Sequence, residues 1–197
     1  MISTMKKGLL ASAMLLAAAA SHATSVQNTT GLAGATNTIT FSEVPLAQGA
    51  TVTNQYAADG ASFASFAVFR DQDGFFATDY IGNFGSQGTA NPFEIVFTHQ
   101  VTGAAFEYIS NPGTAVFEAL LNGSVVDTFS ASTSYTATNN FYGFDGLAFD
   151  TIRVTSPSNG AMEIDNLEFR TAVPEPTSIV LMALGLAAVA LRARRKA

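Results

Sequence analysis

The chain has 197 residues, a net charge of −6, no Cys, no Trp, 16 Phe and only two His. Without cysteine there are no disulfide staples and no thiolate metal site. Between Thr24 and Ala172, fourteen Asp and Glu face three Arg (Arg70, Arg153, Arg170), about eleven net negative charges. That balance excludes nucleic acid as a partner and suits an acidic exported surface or a divalent cation.

The chain opens on Lys6 and Lys7, an apolar run from Gly8 to Ala20, and small residues at Ser21 and Ala23. This order predicts a signal peptide over 1–23 that forms an N-terminal signal helix and is cleaved after Ala23. An N-terminal membrane anchor fits less well, because the run is short for a span and small residues follow it at once. Residues 24–36, "TSVQNTTGLAGAT", are small and polar with no period, and predict a flexible lead-in.

From Asn37 to Ala172 the apolar residues recur at every second position, which predicts an all-β domain over 37–172. In "NTITFSEV" Ile39 and Phe41 share one face, and in "NPFEIVFTH" Phe93, Ile95 and Phe97 do. "TAVFEALLNGSVVDTF" predicts a hairpin, because Asn122-Gly123 tolerates the positive φ angles of a type I′ turn. "GLAFDTIRVTSP" and "AMEIDNLEFRTA" predict two closing strands. About eight short strands and many phenylalanines predict an antiparallel two-sheet, jelly-roll-like sandwich rather than a barrel around a ligand cavity.

Alternation also singles out carboxylates on an apolar face. Glu43 shares parity with Ile39 and Phe41, and Asp165 with Leu167 and Phe169. An ionised carboxylate facing inward needs hydrogen bonds, a partner or a cation. If the first and last strands are neighbours, Glu43 and Asp165 form a candidate Ca²⁺ site; alternatively each accepts hydrogen bonds from turn amides at a strand end. A second cluster, "DQDGFFATD", places Asp71, Asp73 and Asp79 in one loop. The twelfth position counted from Asp71 is Gly82, where an EF-hand loop needs a bidentate Glu, so an ordinary acidic turn is the expectation.

Catalytic signatures are missing from the sequence. There is no H-E-x-x-H, G-x-S-x-G or phosphate-cradling loop. His99, the one histidine outside the signal segment, has no nucleophile motif beside it. The expectation is a protein that is not an enzyme.

The final segment is "VPEPTSIVLMALGLAAVALRARRKA", 173–197. Pro174 and Pro176 keep a helix from starting before Thr177. The uncharged run from Thr177 to Leu191 reaches about 22 Å as a helix, against a hydrocarbon core of about 30 Å. Arg192, Arg194, Arg195 and Lys196 follow directly; their stems extend the anchor by snorkelling, and their charge orients the terminus toward the cytoplasm. A C-terminal transmembrane helix, marginal in length, is predicted.

Pro174-Glu175-Pro176, then an apolar segment, then a basic end closely resembles the PEP-CTERM sorting signal of exported Gram-negative bacterial proteins. The resemblance implies that Pro174, Glu175 and Pro176 are recognised by an exosortase, an integral membrane enzyme that removes the tail, and that the protein accompanies exopolysaccharide or biofilm production. The body, from "ITFSEVPLAQGATVTNQYAADGASF" to "FDTIRVTSPSNGAMEIDNLEF", is similar to the β-sandwich domains of such proteins. These features predict a non-catalytic envelope or extracellular-matrix protein that is exported, anchored by its tail and processed. The alternative is a calcium-dependent carbohydrate-binding module, with Tyr56, Tyr80, Tyr135 and Tyr142 as candidate sugar platforms. A polysaccharide-active hydrolase is a third reading, for which the sequence singles out no carboxylate pair.

Overall fold

A computed structural model of the chain describes residues 24–63, 67–71, 76–82, 91–136, 140–157 and 161–172. The signal segment, the sorting tail and the helix expected in each lie outside the described residues. Among the described residues eleven strands form: β1 (Thr24–Asn28), β2 (Asn37–Ile39), β3 (Thr51–Val52), β4 (Ala61–Phe63), β5 (Ala67–Arg70), β6 (Tyr80–Gly82), β7 (Phe93–Ser110), β8 (Gly113–Leu121), β9 (Ser124–Thr133), β10 (Phe141–Thr155) and β11 (Met162–Thr171). One 3-10 turn spans Ala57–Asp59. Among the described residues no helix is long and apolar enough to cross a membrane.

Every pairing is antiparallel, in the order β3-β5-β6-β11-β7-β10-β8-β9, with β1 on β10, β2 on β11 and β4 on β7. The two longest strands, β7 and β10, each serve two layers. Residues 93–97 of β7 lie between β4 and the second half of β10, whereas residues 101–110 lie between the first half of β10 and β11. Register shifts at Asp145/Phe149 and Phe149/Thr151 mark where the paired strands pass from one layer to the other. The layers then face each other: Phe117 on β8 stacks on Tyr142 of β10 at 5.1 Å and 7°, and Phe129 on β9 meets Phe144 at 5.1 Å. The result is a β-sandwich made by one antiparallel sheet folded over itself.

Alternation explains the core. On β7 Ala104, Phe106 and Tyr108 enter the main cluster, while the odd positions Ala105, Glu107 and Ile109 face outward. Each fully buried phenylalanine contributes about 2–3 kcal/mol of transfer free energy, so the rings carry most of the cohesion that disulfides would otherwise share. The hairpin at Asn122-Gly123 forms as expected, with φ of 51° and 78° at the two turn residues.

The segment 24–36 differs from the expected flexible lead-in. Thr24–Asn28 is an edge strand on β10, and the following loop lies over the outward face of the sheet with Val26 and Leu32 buried against Ala105 and Phe141. The Leu32 amide donates to Glu168 Oε2 at 2.6 Å, Arg170 Nη1 donates to the Ala33 carbonyl at 3.2 Å, and the Thr36 amide donates to the Phe169 carbonyl at 3.1 Å. Two apolar anchors in a small, polar stretch leave no period to read. The order comes from partners more than a hundred residues away.

Candidate functional site

Both carboxylates singled out by parity prove to sit beyond a break in alternation. Phe41, two residues past the end of β2, has φ of 62°, and Glu43 lies in an exposed turn where its Oε1 accepts from the Thr40 amide at 2.7 Å and the Thr40 hydroxyl at 2.9 Å. Asn166 has φ of 45° at a register shift in β11, which moves the inward positions from Met162 and Ile164 to Leu167 and Phe169. Asp165 therefore belongs to the outward face, opposite Glu107 on β7.

Asp165 is nevertheless 1% exposed, because the segment around Thr78 covers it. The Thr78 hydroxyl donates to its Oδ2 at 2.5 Å and the Asn166 amide to its Oδ1 at 2.6 Å. Burial pushes its carboxyl up to about 6 against those hydrogen bonds, with Glu107 and Asp79 adding to the rise. Asp79 also accepts from Ser42 at 3.2 Å, and Asn166 Nδ2 donates to Glu107 at 3.1 Å. Acidic groups thus gather on this face, each held by hydroxyls and amides of its own surroundings. Among the described residues no three Asp, Glu or His are placed to hold one metal ion.

Residues 72–75, between Asp71 and Asp79 and including Asp73, lie outside the described residues. The Asp71 amide donates to Gln48 Oε1 at 2.6 Å, an ordinary loop contact. His99 is exposed at the corner between the layers, its Nδ1 3.1 Å from the Thr98 hydroxyl.

Of the four candidate tyrosines, three are buried. Tyr56 is fully buried and donates to the Phe41 carbonyl at 2.7 Å; burial first, then the nearby Glu43, Asp79 and Asp59, hold its phenol strongly protonated. Tyr80 packs with Phe76 and Ile109. Tyr142 stacks on Phe117, and burial raises its phenol too. Tyr135 alone of the four is exposed, at 47%.

It is one of the residues lining a cavity of about 210 Å³ at the end of β7 and the start of β11. Ile109, Ala161 and Met162 contribute apolar lining, and Ser110, Asn111 and Glu163 contribute polar groups. Behind it, Ser110 Oγ lies 2.6 Å from Thr133 Oγ1, and Tyr108 Oη, whose phenol burial raises to about 12, lies 2.8 Å from Ser156 Oγ. An exposed ring near apolar and hydrogen-bonding groups can contact a small amphipathic molecule. Tyr135 was visible in the sequence as a turn aromatic. Ile109, Met162 and Glu163 were not, because only the β7–β11 pairing brings them to it.

Residues 172–196 match the PEP-CTERM protein-sorting motif. The chain carries a PEP-CTERM sorting motif. That motif implies an exported, envelope-associated protein processed by an exosortase. Its Pro174, Glu175 and Pro176, and the basic Arg192, Arg194, Arg195 and Lys196, lie outside the described residues.

No curated protein matches the chain. Among solved structures the body is similar to the CBM22-1–GH10 modules of Clostridium thermocellum xylanase 10B in complex with xylohexaose, at 12% identity and a TM-score of 0.39 over 64% of this chain and 29% of that one. It is also similar to the Agl-KA catalytic domain, at 15% identity and a TM-score of 0.36 over 68% of this chain and 31% of that one. The chain spans less than a third of either structure, and neither likeness assigns it a ligand or a reaction.

Proposed function

We propose that this is a non-catalytic envelope or extracellular-matrix protein of a Gram-negative bacterium, exported by its signal peptide and held in the membrane by its tail. An exosortase then processes the tail, and the jelly-roll-like body works in contact with exopolysaccharide or biofilm material. The observation that carries this reading is the sorting motif at 172–196. Replacing Pro174 and Pro176 by Ala in a native host tests it. The reading requires an unprocessed, membrane-bound form to accumulate, and normal release refutes Pro-Glu-Pro as the recognition element.

A second reading, carbohydrate binding, is favoured by the Tyr135 groove. Sugar faces stack on exposed rings, and hydroxyls pair with amide and carboxylate edges. Retention of the body on a panel of bacterial polysaccharides tests it. Calcium enters only through the expectation for Glu43 and Asp165, whose carboxylates already accept the hydrogen bonds described above. Melting with and without chelator decides it, since an ion bound to the native state raises the melting temperature.

A further inference from the structure

Strand register places both ends of the body at one pole. Thr24 lies opposite Asp145 on β10, Asp145 opposite Gly103 on β7, and Gly103 opposite Arg170 on β11. These four residues form one row across the sheet, about 14 Å from end to end at the usual strand spacing. β1 starts in this row, and β11 runs down to it and ends at Thr171. The Ala172 amide still donates to the Gln100 carbonyl at 2.9 Å, so the sheet holds the chain to the threshold of the sorting motif. Thr98, His99 and Gln100 are exposed at the same pole, beside Asn37, Asp59 and Thr171.

The reach of the chain is then short. Pro174 is three residues beyond Thr171 and the apolar run begins at Thr177, so fully extended chain allows at most about 10 Å to the proline and about 21 Å to the hydrocarbon. Headgroups fill about 5–8 Å of that interval. The Tyr135 groove lies at the far end of β7, seven residues beyond Gly103, or about 23 Å along the strand.

We infer that the pole bearing His99 and Gln100 is apposed to the bilayer while the tail is uncut, and that the Tyr135 groove is presented away from it. This rests on the anchored reading proposed above. The expected signal cleavage after Ala23 would fall at the same pole, so both membrane-linked segments enter the body from one side. Charge does not hold the pole to lipid: between 24 and 172 there is no Lys, Arg170 in that row is paired with Asp145, and Asp59 and Asp150 are among the groups around His99. The tether alone sets the orientation, and cutting it frees the body.

The absence of native cysteine allows a direct test with single-cysteine variants of the full chain. His99→Cys and Gln100→Cys report the near pole, and Thr136→Cys, exposed next to Tyr135, reports the far one. Each chain is reconstituted in phosphatidylethanolamine–phosphatidylglycerol vesicles without any processing enzyme, checked by flotation, and labelled with a bulky polyethylene-glycol maleimide before and after detergent. Labelling at 99 and 100 is expected to be several-fold slower on vesicles than in detergent, with 136 unchanged. Equal rates at both poles, protection at 136, or protection at 99 only when a processing enzyme is added would each overturn the inference. A chain that does not float with the vesicles overturns the anchored reading itself, which flotation distinguishes from a failure of orientation alone.

Discussion

Arg170 on β11 forms an ion pair with Asp145 on β10 across an intervening strand, and the backbone they cross is that of Gly103 on β7. A Cβ at 103 would lie 2.9 Å from Arg170 Nη2, 3.0 Å from Asp145 Oδ1 and 3.2 Å from Leu32 Cδ1. Glycine is thus the residue that lets the clamp close over the strand and brings Leu32 down with it. Arg170 also donates to Ala33, so one side chain ties the first loop, the tenth strand and the last strand together.

Gly103→Ala is expected to part the pair and lift the 29–36 loop. Both charged side chains are about 30% exposed, so the ion pair itself contributes little, and the predicted loss of about 1–2 kcal/mol comes mainly from Leu32. Gly143→Ala is expected to cost more, because its Cβ would collide with the backbone of Ala104 and Ala105 rather than with a movable side-chain end. Denaturant melts of the two variants rank them, and protease sensitivity near residue 30 reports loop release in the first.

Phe117 is sandwiched between Phe129 at 4.8 Å and Tyr142 at 5.1 Å, with interplanar angles of 9° and 7°. Phe117→Ala should lose about 3–5 kcal/mol, the usual cost of removing a buried phenylalanine. Phe129, half-buried on the edge strand β9, should lose less on the same change. Urea unfolding monitored by near-ultraviolet circular dichroism measures both.

Asp165 supplies a pH dependence of definite sign. Its carboxyl titrates near 6 in the folded body and near 3.9 when unfolded, so between those values the folded state binds the extra proton. Stability from this group is therefore highest below about pH 4 and falls as pH rises to 6, by an amount on the order of 2–3 kcal/mol. Asp165→Asn should flatten that slope and raise the melting temperature at pH 7.5, since the amide retains a partner in the Thr78 hydroxyl. Melting curves of both forms at pH 4.5 and 7.5 check the prediction, and an unchanged difference between the two pH values contradicts it.

The Tyr135 groove makes a separable prediction. If the ring is a sugar platform, Tyr135→Ala should weaken polysaccharide retention about tenfold, equivalent to about 1.4 kcal/mol, while leaving the melting temperature unchanged, because the ring is half exposed. Affinity electrophoresis in polysaccharide-containing gels reads the first quantity. Loss of stability without loss of retention would mark the tyrosine as a packing residue.

How far the sequence could be read depended on whether a signal was local. The Asn122-Gly123 turn was legible because two adjacent residues carry all of its conformational requirement. The outward address of Asp165 was not, because a single residue in left-handed geometry, Asn166, shifts the face of everything after it, and an asparagine inside a strand run with no glycine beside it carries no turn signal. Phe41 hides the same trap more deeply, since a buried phenylalanine at φ of 62° looks in sequence like an ordinary strand residue. The ordered 24–36 segment was equally opaque, because Glu168 and Arg170 fix it from the other end of the chain. By contrast the sorting tail was plain, because a proline pair, an apolar run and a basic end act in sequence order.

The central claim is that the tail is removed on the way to the protein's destination. Intact mass of the protein recovered from the native host's envelope and medium tests it most directly. The account predicts a chain starting at Thr24 whose mass lacks the apolar run from Thr177 and the basic end at Arg192–Lys196. A released protein whose mass extends through Ala197 would contradict it.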